Sequence, residues 1–241
     1  MPEVLIELDD GVAVVTIDRP AVRNAISPAT MDGLEAALAA AGDARVLVLR
    51  GGGDRAFVSG GDLKALAKIR THEEAVAMAL RMRRLCDQIA TFPAPVIAAL
   101  NGHALGGGAE VAVAADIRVA ADDVVIGFNQ ADLAIMPAWG GAERLAGLVG
   151  RAQALLLTTT GEKLGTAEAH RIGLIERVYP RAGFEESWRA LARRMAAAPA
   201  RSIKSVIAPA APHHHPALAR AAADTFARLW TADAHWAAVG T

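Results

Sequence analysis

With 241 residues, 53% of them hydrophobic, the chain fits one large domain with a substantial core, yet no uninterrupted apolar run reaches the ~18 residues of a membrane span. Lys plus Arg number 25 against 26 Asp plus Glu, a net charge of −1, and with no long basic run this argues against nucleic acid as a main partner. A single cysteine excludes an intrachain disulfide and a cysteine-rich metal site, and the apolar excess leaves room for surface buried between subunits.

The start, Met1-Pro2-Glu3-Val4, lacks the basic residues and apolar core of a signal peptide, so the expected location is cytoplasmic. Val4 to Leu8 and Val12 to Ile17 read as strands around Asp10-Gly11, a hairpin signal. Ser27-Pro28 offers an N-cap with proline at the first helical position, and a helix to about Ala41 follows. Val46 to Leu49 is a short continuous apolar run, as in a buried strand. Gly51 to Gly61 is a glycine-rich loop holding the short run Ala56-Phe57-Val58. A long helix is expected from about Glu73 to Phe92, stopped by Pro93 and Pro95, with Cys86 inside it as a buried structural thiol.

Val96 to Leu100 reads as another buried strand, running into the glycine turn at 106–108 and a helix to about Ala115. Ile117 to Ala120 and Val124 to Gly127 read as strands, and Pro137, Gly140 and Gly141 precede a helix near Ala142 to Leu148. Strands alternate with helices over residues 1–180, which implies an α/β fold with parallel pairing. From Phe184 the pattern is almost all helix, so residues 181–241 form a helical C-terminal region, with His213-His214-His215 in a Pro-flanked loop.

The chemistry concentrates in Asn101-Gly102-His103-Ala104-Leu105-Gly106-Gly107-Gly108-Ala109-Glu110. A glycine turn at a helix N-terminus can present bare backbone N–H groups to developing negative charge, and Glu110 follows one turn in. An oxyanion site beside a base suits carbonyl–enolate chemistry.

Four segments together resemble the crotonase, or enoyl-CoA hydratase/isomerase, superfamily. They are Arg19-Pro20-Ala21-Val22-Arg23-Asn24-Ala25, Ala56-Phe57-Val58-Ser59-Gly60-Gly61-Asp62-Leu63, the Asn101 to Glu110 stretch, and Pro137-Ala138-Trp139-Gly140-Gly141-Ala142-Glu143-Arg144-Leu145. The resemblance covers nearly the whole chain. It implies a β-β-α spiral core with a C-terminal helical region for packing and trimerisation, a homotrimer or hexamer, and an acyl-CoA thioester as substrate with no prosthetic group and no bound metal. By motif position the oxyanion donors are the N–H groups of Gly61 and Gly107, and Glu110 is the general acid/base. The segment of Arg23 and Ala25, with Ser59, Gly60, Gly61, Asp62 and Leu63, falls where relatives contact CoA. Arg23 either meets a phosphate or is solvated, and Asp62 suits a helix N-cap.

Two departures bear on the reaction. Family hydratases hold one water with two glutamates, and ungapped alignment puts the second on Gln130, which can position a water but has no carboxyl to move a proton. Asp132, two residues on, would share a face with residue 130 in a strand, where a register slip or bulge restores the acid; otherwise it is a solvated or capping carboxylate. The resemblance therefore implies hydratase or isomerase activity with hydration weakened. Decarboxylation of a malonyl-type thioester is an alternative, and a non-catalytic acyl-CoA-binding protein is another of a different class. Trp139 either packs at a helix start or subunit interface, or walls the acyl pocket against long chains. His103 reads as packing, His72 as either pocket-lining or exposed. Relatives often continue past Thr241 in a longer helix and basic tail, so a more open CoA channel is expected here.

Overall fold

The computed structural model describes residues 2–207 and 216–240. It opens on the expected hairpin. Strand β1 (Val4–Asp9) pairs antiparallel with β2 (Val12–Ile17), Asp9 opposite Val12. Asp10 and Gly11 between them both take positive φ, 42° and 80°, as a two-residue hairpin turn requires. From β2 the pairing turns parallel through β3 (Val46–Gly51), β5 (Val96–Leu100), β7 (Ile117–Ala121) and β10 (Arg177–Tyr179). These strands form a six-stranded sheet in the order β1-β2-β3-β5-β7-β10. Strand β5 is buried along its whole length and β3 along nearly all of it, which is why they read as unbroken apolar runs.

A second sheet holds four three-residue strands, in the order β4 (Ala56–Val58), β6 (His103–Leu105), β8 (Val125–Gly127) and β9 (Lys163–Gly165). The first three run parallel and β9 antiparallel. Both sheets grow from one repeated unit, a strand of the large sheet, a strand of the small sheet, then helix. The first is β3, β4, then α2 (Leu63–Leu66) and α3 (His72–Ala90). The second is β5, β6 and α4 (Gly107–Ala114). The third is β7, β8 and, after a 3-10 turn at Asn129–Leu133, α5 (Gly141–Val149). This is the β-β-α spiral that the motifs implied.

Two motif asparagines hold its corners. Asn24 Nδ2 donates to the carbonyls of Gly52 (3.0 Å) and Ala56 (2.7 Å), and its Oδ1 accepts from Arg19 N–H (2.9 Å). Asn101 Nδ2 donates to the carbonyls of Gly51 (2.9 Å) and Gly53 (2.6 Å), and its Oδ1 accepts from Gly51 N–H (2.9 Å). Both clamp the loop between β3 and β4 that leads to Gly60 and Gly61. Left unpaired, each buried group would cost about 1–3 kcal/mol.

Helix α1 (Pro28–Ala40) starts at Ser27, whose side chain and that of Thr30 cap each other's N–H groups. Helix α3 starts from an equivalent box of Thr71 and Glu74. Cys86 is buried in α3, and burial pushes its thiol up to about 12, as suits a structural thiol. Strands β6, β9 and β10 and helices α6 (Arg151–Thr160) and α7 (Thr166–Arg171) go beyond what the sequence pattern displayed. Three residues are too few to show a period, and α6 is half exposed.

The C-terminal run starts at α8 (Phe184–Ala196), as expected. Helix α9 (Ala200–Ile207) is pinned by Lys204, whose Nζ donates to Asp116 Oδ2 (2.7 Å) and the Ala94 carbonyl (3.2 Å). Helix α10 (Pro216–Trp230) lies along α3, and Trp230 Nε1 donates to the Ile69 carbonyl (3.1 Å). Helix α11 (Asp233–Val239) returns to the 3-10 turn, where His235 Nδ1 donates to the Leu133 carbonyl (2.7 Å). The His213 to His215 run lies outside the described residues. Among those described, no helix is long and apolar enough to cross a membrane.

Candidate active site

The glycine turn does what its composition suggests. Gly106, at φ 55° and ψ −120°, ends β6 and caps α4, so Gly107 becomes the first helical residue. All eight residues of α4 are buried, which carries Glu110 into the interior at 2% exposure. The loop from β4 reaches the same place. Its residues 59–62 run beside residues 23–26 through Ser59 N–H to the Arg23 carbonyl (3.2 Å), Ile26 N–H to the Gly60 carbonyl (2.8 Å) and Asp62 N–H to the Ile26 carbonyl (2.8 Å). A Cβ on Gly60 would fall 3.5 Å from Gly107 N, so the two glycine loops stand side by side. Neither Gly61 N–H nor Gly107 N–H donates to a protein acceptor among the described residues.

Both loops open on a cavity of about 110 Å³. Ser59, Gly60, Gly61, Leu63, Gly107, Glu110 and Gln130 all line it. Among the described lining residues, Glu110 alone carries an ionisable side chain. Its Oε2 accepts from the N–H groups of Trp139 (2.7 Å) and Gly141 (2.9 Å), and its Oε1 from Gln130 Nε2 (3.0 Å). Burial disfavours the charged form more than these donors offset, and the nearby Glu143 charge adds to it, so the carboxyl is pushed up to about 7. A group of that affinity is poised to give or take a proton at neutral pH. Gln130 is itself buried, and its Oε1 has no protein partner among the described residues.

Trp139 forms a wall of the cavity. Its indole lies over Gly107, where a Cβ would fall 2.1 Å from Cζ3, and its Cζ2 is 3.9 Å from the corresponding point on Gly61. Only a residue without a side chain fits at 107 beneath that ring. Position 139 thus belongs to the cavity instead of merely packing a helix start.

Other sequence candidates fall elsewhere. Arg23 is exposed at the end of a 3-10 turn with φ 55°, and Ala25 is buried beside it; neither lines the cavity. Asp62 caps α2 through Ala65 N–H (3.1 Å) and pairs with Arg19 Nη2 (2.9 Å). Asp132 does not restore a second acid. Residues 129–133 form a 3-10 turn, whose ~120° step per residue sends positions 130 and 132 in different directions. Gln130 therefore points inward while exposed Asp132 meets Lys163 Nζ at 3.5 Å. His103 is an exposed acceptor for Val125 N–H (3.1 Å), and His72 pairs with Asp224 of α10 (3.1 Å), outside the cavity lining.

Sequence reasoning missed the two N–H donors that hold Glu110 and the apolar walls from Met78, Phe226 and Trp230. The glycine pair at 140–141 signalled a tight approach without naming its partner. Nothing local announced that α10 folds back over the site.

A family model for enoyl-CoA hydratase/isomerase matches residues 7–229. The chain belongs to the enoyl-CoA hydratase/isomerase family. It is 40% identical to a Rhodobacter capsulatus protein named as a probable enoyl-CoA hydratase, over 83% of this chain and 77% of that one. It is 39% identical to the human mitochondrial enoyl-CoA hydratase domain-containing protein 2, over 69% of this chain and 58% of the human one, so it spans less than two thirds of that relative. The crystal structure of an enoyl-CoA hydratase from Mycobacterium avium subsp. paratuberculosis superposes with a TM-score of 0.90 at 26% identity, over 100% of this chain and 99% of that one. The protein is thus an enzyme of the hydratase/isomerase family, with acyl-CoA thioesters the fitting substrate class.

Proposed function

We propose that the protein moves a proton on the acyl group of a short acyl-CoA thioester through an enolate, as an enoyl-CoA isomerase with weak hydratase activity. The observation that carries this reading is Glu110, the single ionisable group among the described residues that line the cavity, held near neutrality by burial. The thioester oxygen would accept from the N–H groups of Gly61 and Gly107, which have no other acceptor among the described residues. Charge moves onto that oxygen as Glu110 removes a proton from carbon, and losing one such donor typically costs ~3 kcal/mol of barrier. In a double-bond shift the same carboxyl returns the proton two carbons away, so one acid/base suffices.

Hydration asks more of the site. A water must be oriented, deprotonated as it attacks the β-carbon, and balanced by a proton delivered to the α-carbon. Glu110 Oε1 and the unpartnered Gln130 Oε1 are adjacent acceptors for the two hydrogens of such a water. Gln130 can orient it but not exchange a proton, so Glu110 would carry both transfers in turn and hydration would be slow.

The remaining parts of the reading concern binding and assembly. Arg23 and Ala25, with residues 59–63, would form the CoA side of the site, supported by their pairing beside the cavity. Residues 181–241 would serve packing and trimer assembly, and apolar side chains exposed on α9, Ile203, Val206 and Ile207, suit covered surface. Decarboxylation of a malonyl-type thioester is the second reading, favoured by the compact cavity under Trp139 and an acid able to protonate the resulting enolate.

The test supplies crotonyl-CoA, a 3-enoyl-CoA and methylmalonyl-CoA to the purified protein and to Glu110→Gln. Isomerisation is expected to be fastest, and the substitution to reduce it at least ~100-fold. Tight thioester binding with no turnover of any of the three would make the chain a binding protein. Turnover undiminished in Glu110→Gln would remove Glu110 from the chemistry.

A further inference from the structure

Behind Glu110, helices α3 and α5 face each other through four charged side chains. Arg144 Nη2 pairs with Asp87 Oδ1, and its Nη1 donates to the Trp139 carbonyl (3.2 Å). Buried Arg83 donates through Nη1 to Glu143 Oε1 (2.7 Å), and its Nε stands 4.0 Å from Asp87 Oδ2. None of the four lines the cavity. Yet the carbonyl that Arg144 grips lies between the two N–H groups, Trp139 and Gly141, that hold Glu110 Oε2.

That turn is held by the Trp139 indole packed over Gly107 and by Arg144 N–H on the Gly140 carbonyl (3.3 Å), but neither contact fixes the peptide between residues 139 and 140. Trp139 and Gly141 precede or begin α5, and the two N–H groups are donors that no helix turn would satisfy. They reach one oxygen at 2.7 and 2.9 Å only while the peptide between them keeps its orientation. Arg144 supplies that constraint from α5, and Asp87 ties Arg144 to α3 on the opposite side. We propose that Arg144, braced by Asp87, is a positioning residue that sets the turn at 139–141 and through it the place and ionisation of the Glu110 carboxyl, without touching substrate. This rests on reading Glu110 as the acid/base.

The direction of its effect follows from the groups that hold Glu110. Gly141, Trp139 and Gln130 donate to its carboxylate; among the charged groups of the packed helices, Arg83 and Asp87 on α3 and Glu143 and Arg144 on α5 pair with one another, beside the buried thiol of Cys86. Glu143 disfavours the Glu110 carboxylate, and Arg83 pairs with Glu143. Removing Arg144 loosens two donors to the carboxylate. That change favours the protonated acid, so its midpoint moves up.

The experiment compares wild type with Arg144→Met, Arg144→Gln and Arg144→Lys. Carbon-13 NMR of glutamate-labelled protein, with the Glu110 signal assigned from Glu110→Gln, follows its titration directly. Steady-state kinetics of thioester isomerisation run beside it. Arg144→Met is expected to raise the Glu110 midpoint by about one pH unit, tenfold in proton affinity. It is also expected to lower kcat about ten- to a hundredfold with KM within about threefold, as for a misplaced catalytic group. Arg144→Lys restores part of both. Arg144→Gln, which keeps a donor and loses the charge, decides the matter if Arg144→Met does not fold. Wild-type titration and kcat in a folded neutral variant overturn the assignment, as does a rise in KM matching the fall in kcat/KM. If wild type turns over no thioester, the proposed function fails, while the NMR titration still decides the role of Arg144.

Discussion

Glu110→Gln isolates what burying the acid does to folding. An ordinary glutamate ionises near 4.5, and the folded protein holds this one to about 7. Between those values the native state keeps a proton that the unfolded chain has lost, so the free energy of unfolding falls by ~1.4 kcal/mol per pH unit. Over the difference, 7 minus 4.5 or 2.5 pH units, the loss amounts to about 3 kcal/mol. The contribution of this group is complete below pH 4.5 and is gone once pH has risen past 7. A glutamine at 110 has no such slope. Its oxygen can accept from Trp139 and Gly141, and its amide can donate to Gln130 once that side chain turns its oxygen inward. Urea unfolding of both proteins from pH 4.5 to 8.5, at one protein concentration, makes the comparison. Other carboxyls titrate in both and cancel. Relative to their difference at pH 4.5, Glu110→Gln should gain about 3 kcal/mol on wild type by pH 8, or roughly 6–12 °C in Tm. Parallel stability curves would refute the claim that burial holds Glu110 near neutrality.

Other substitutions separate the remaining roles. Trp139→Ala keeps the backbone donor to Glu110 but removes the cavity wall. It should cost about 3–5 kcal/mol of stability and shift kcat/KM toward longer acyl thioesters, and an unchanged chain-length profile would remove Trp139 from specificity. Gln130→Glu sets a second carboxyl about 3 Å from the first, where two like charges cannot both ionise, so the pair should share one proton near neutrality. Crotonyl-CoA hydration should then rise about tenfold or more; a folded variant with no gain argues that the missing acid does not limit the rate. Asp132→Asn, at an exposed ion pair, should leave turnover unchanged and stability within ~0.5 kcal/mol. A tenfold loss of turnover there would bring Asp132 into the site after all.

The parts of this protein that sequence displays are those where one residue type answers a local demand. Ser27-Pro28 must start a helix, Asp10-Gly11 must turn a hairpin, and a glycine at 107 must leave its N–H bare. The parts it hides are those where the demand comes from a distant element. Asn24 and Asn101 belong to motifs, yet nothing nearby says that both clamp the loop leading to Gly61. Phe226 and Trp230 reach the cavity only because α10 packs along α3. The contrast between Gln130 and Asp132 is sharper still, because a two-residue spacing means one face in a strand and different faces in a 3-10 turn. Helix type, invisible at five residues, decides which side chain meets the acid. The outcome is a site with one carboxyl among its described lining residues, and that carboxyl is governed from behind. Trp139, Gly141 and Gln130 fill three of its acceptor positions, burial outweighs them, and Arg144 fixes the turn that supplies two. A single proton carrier near neutrality serves a shift of one proton along an acyl chain directly. It serves the addition of water only by acting twice, and that asymmetry is why isomerisation is placed ahead of hydration.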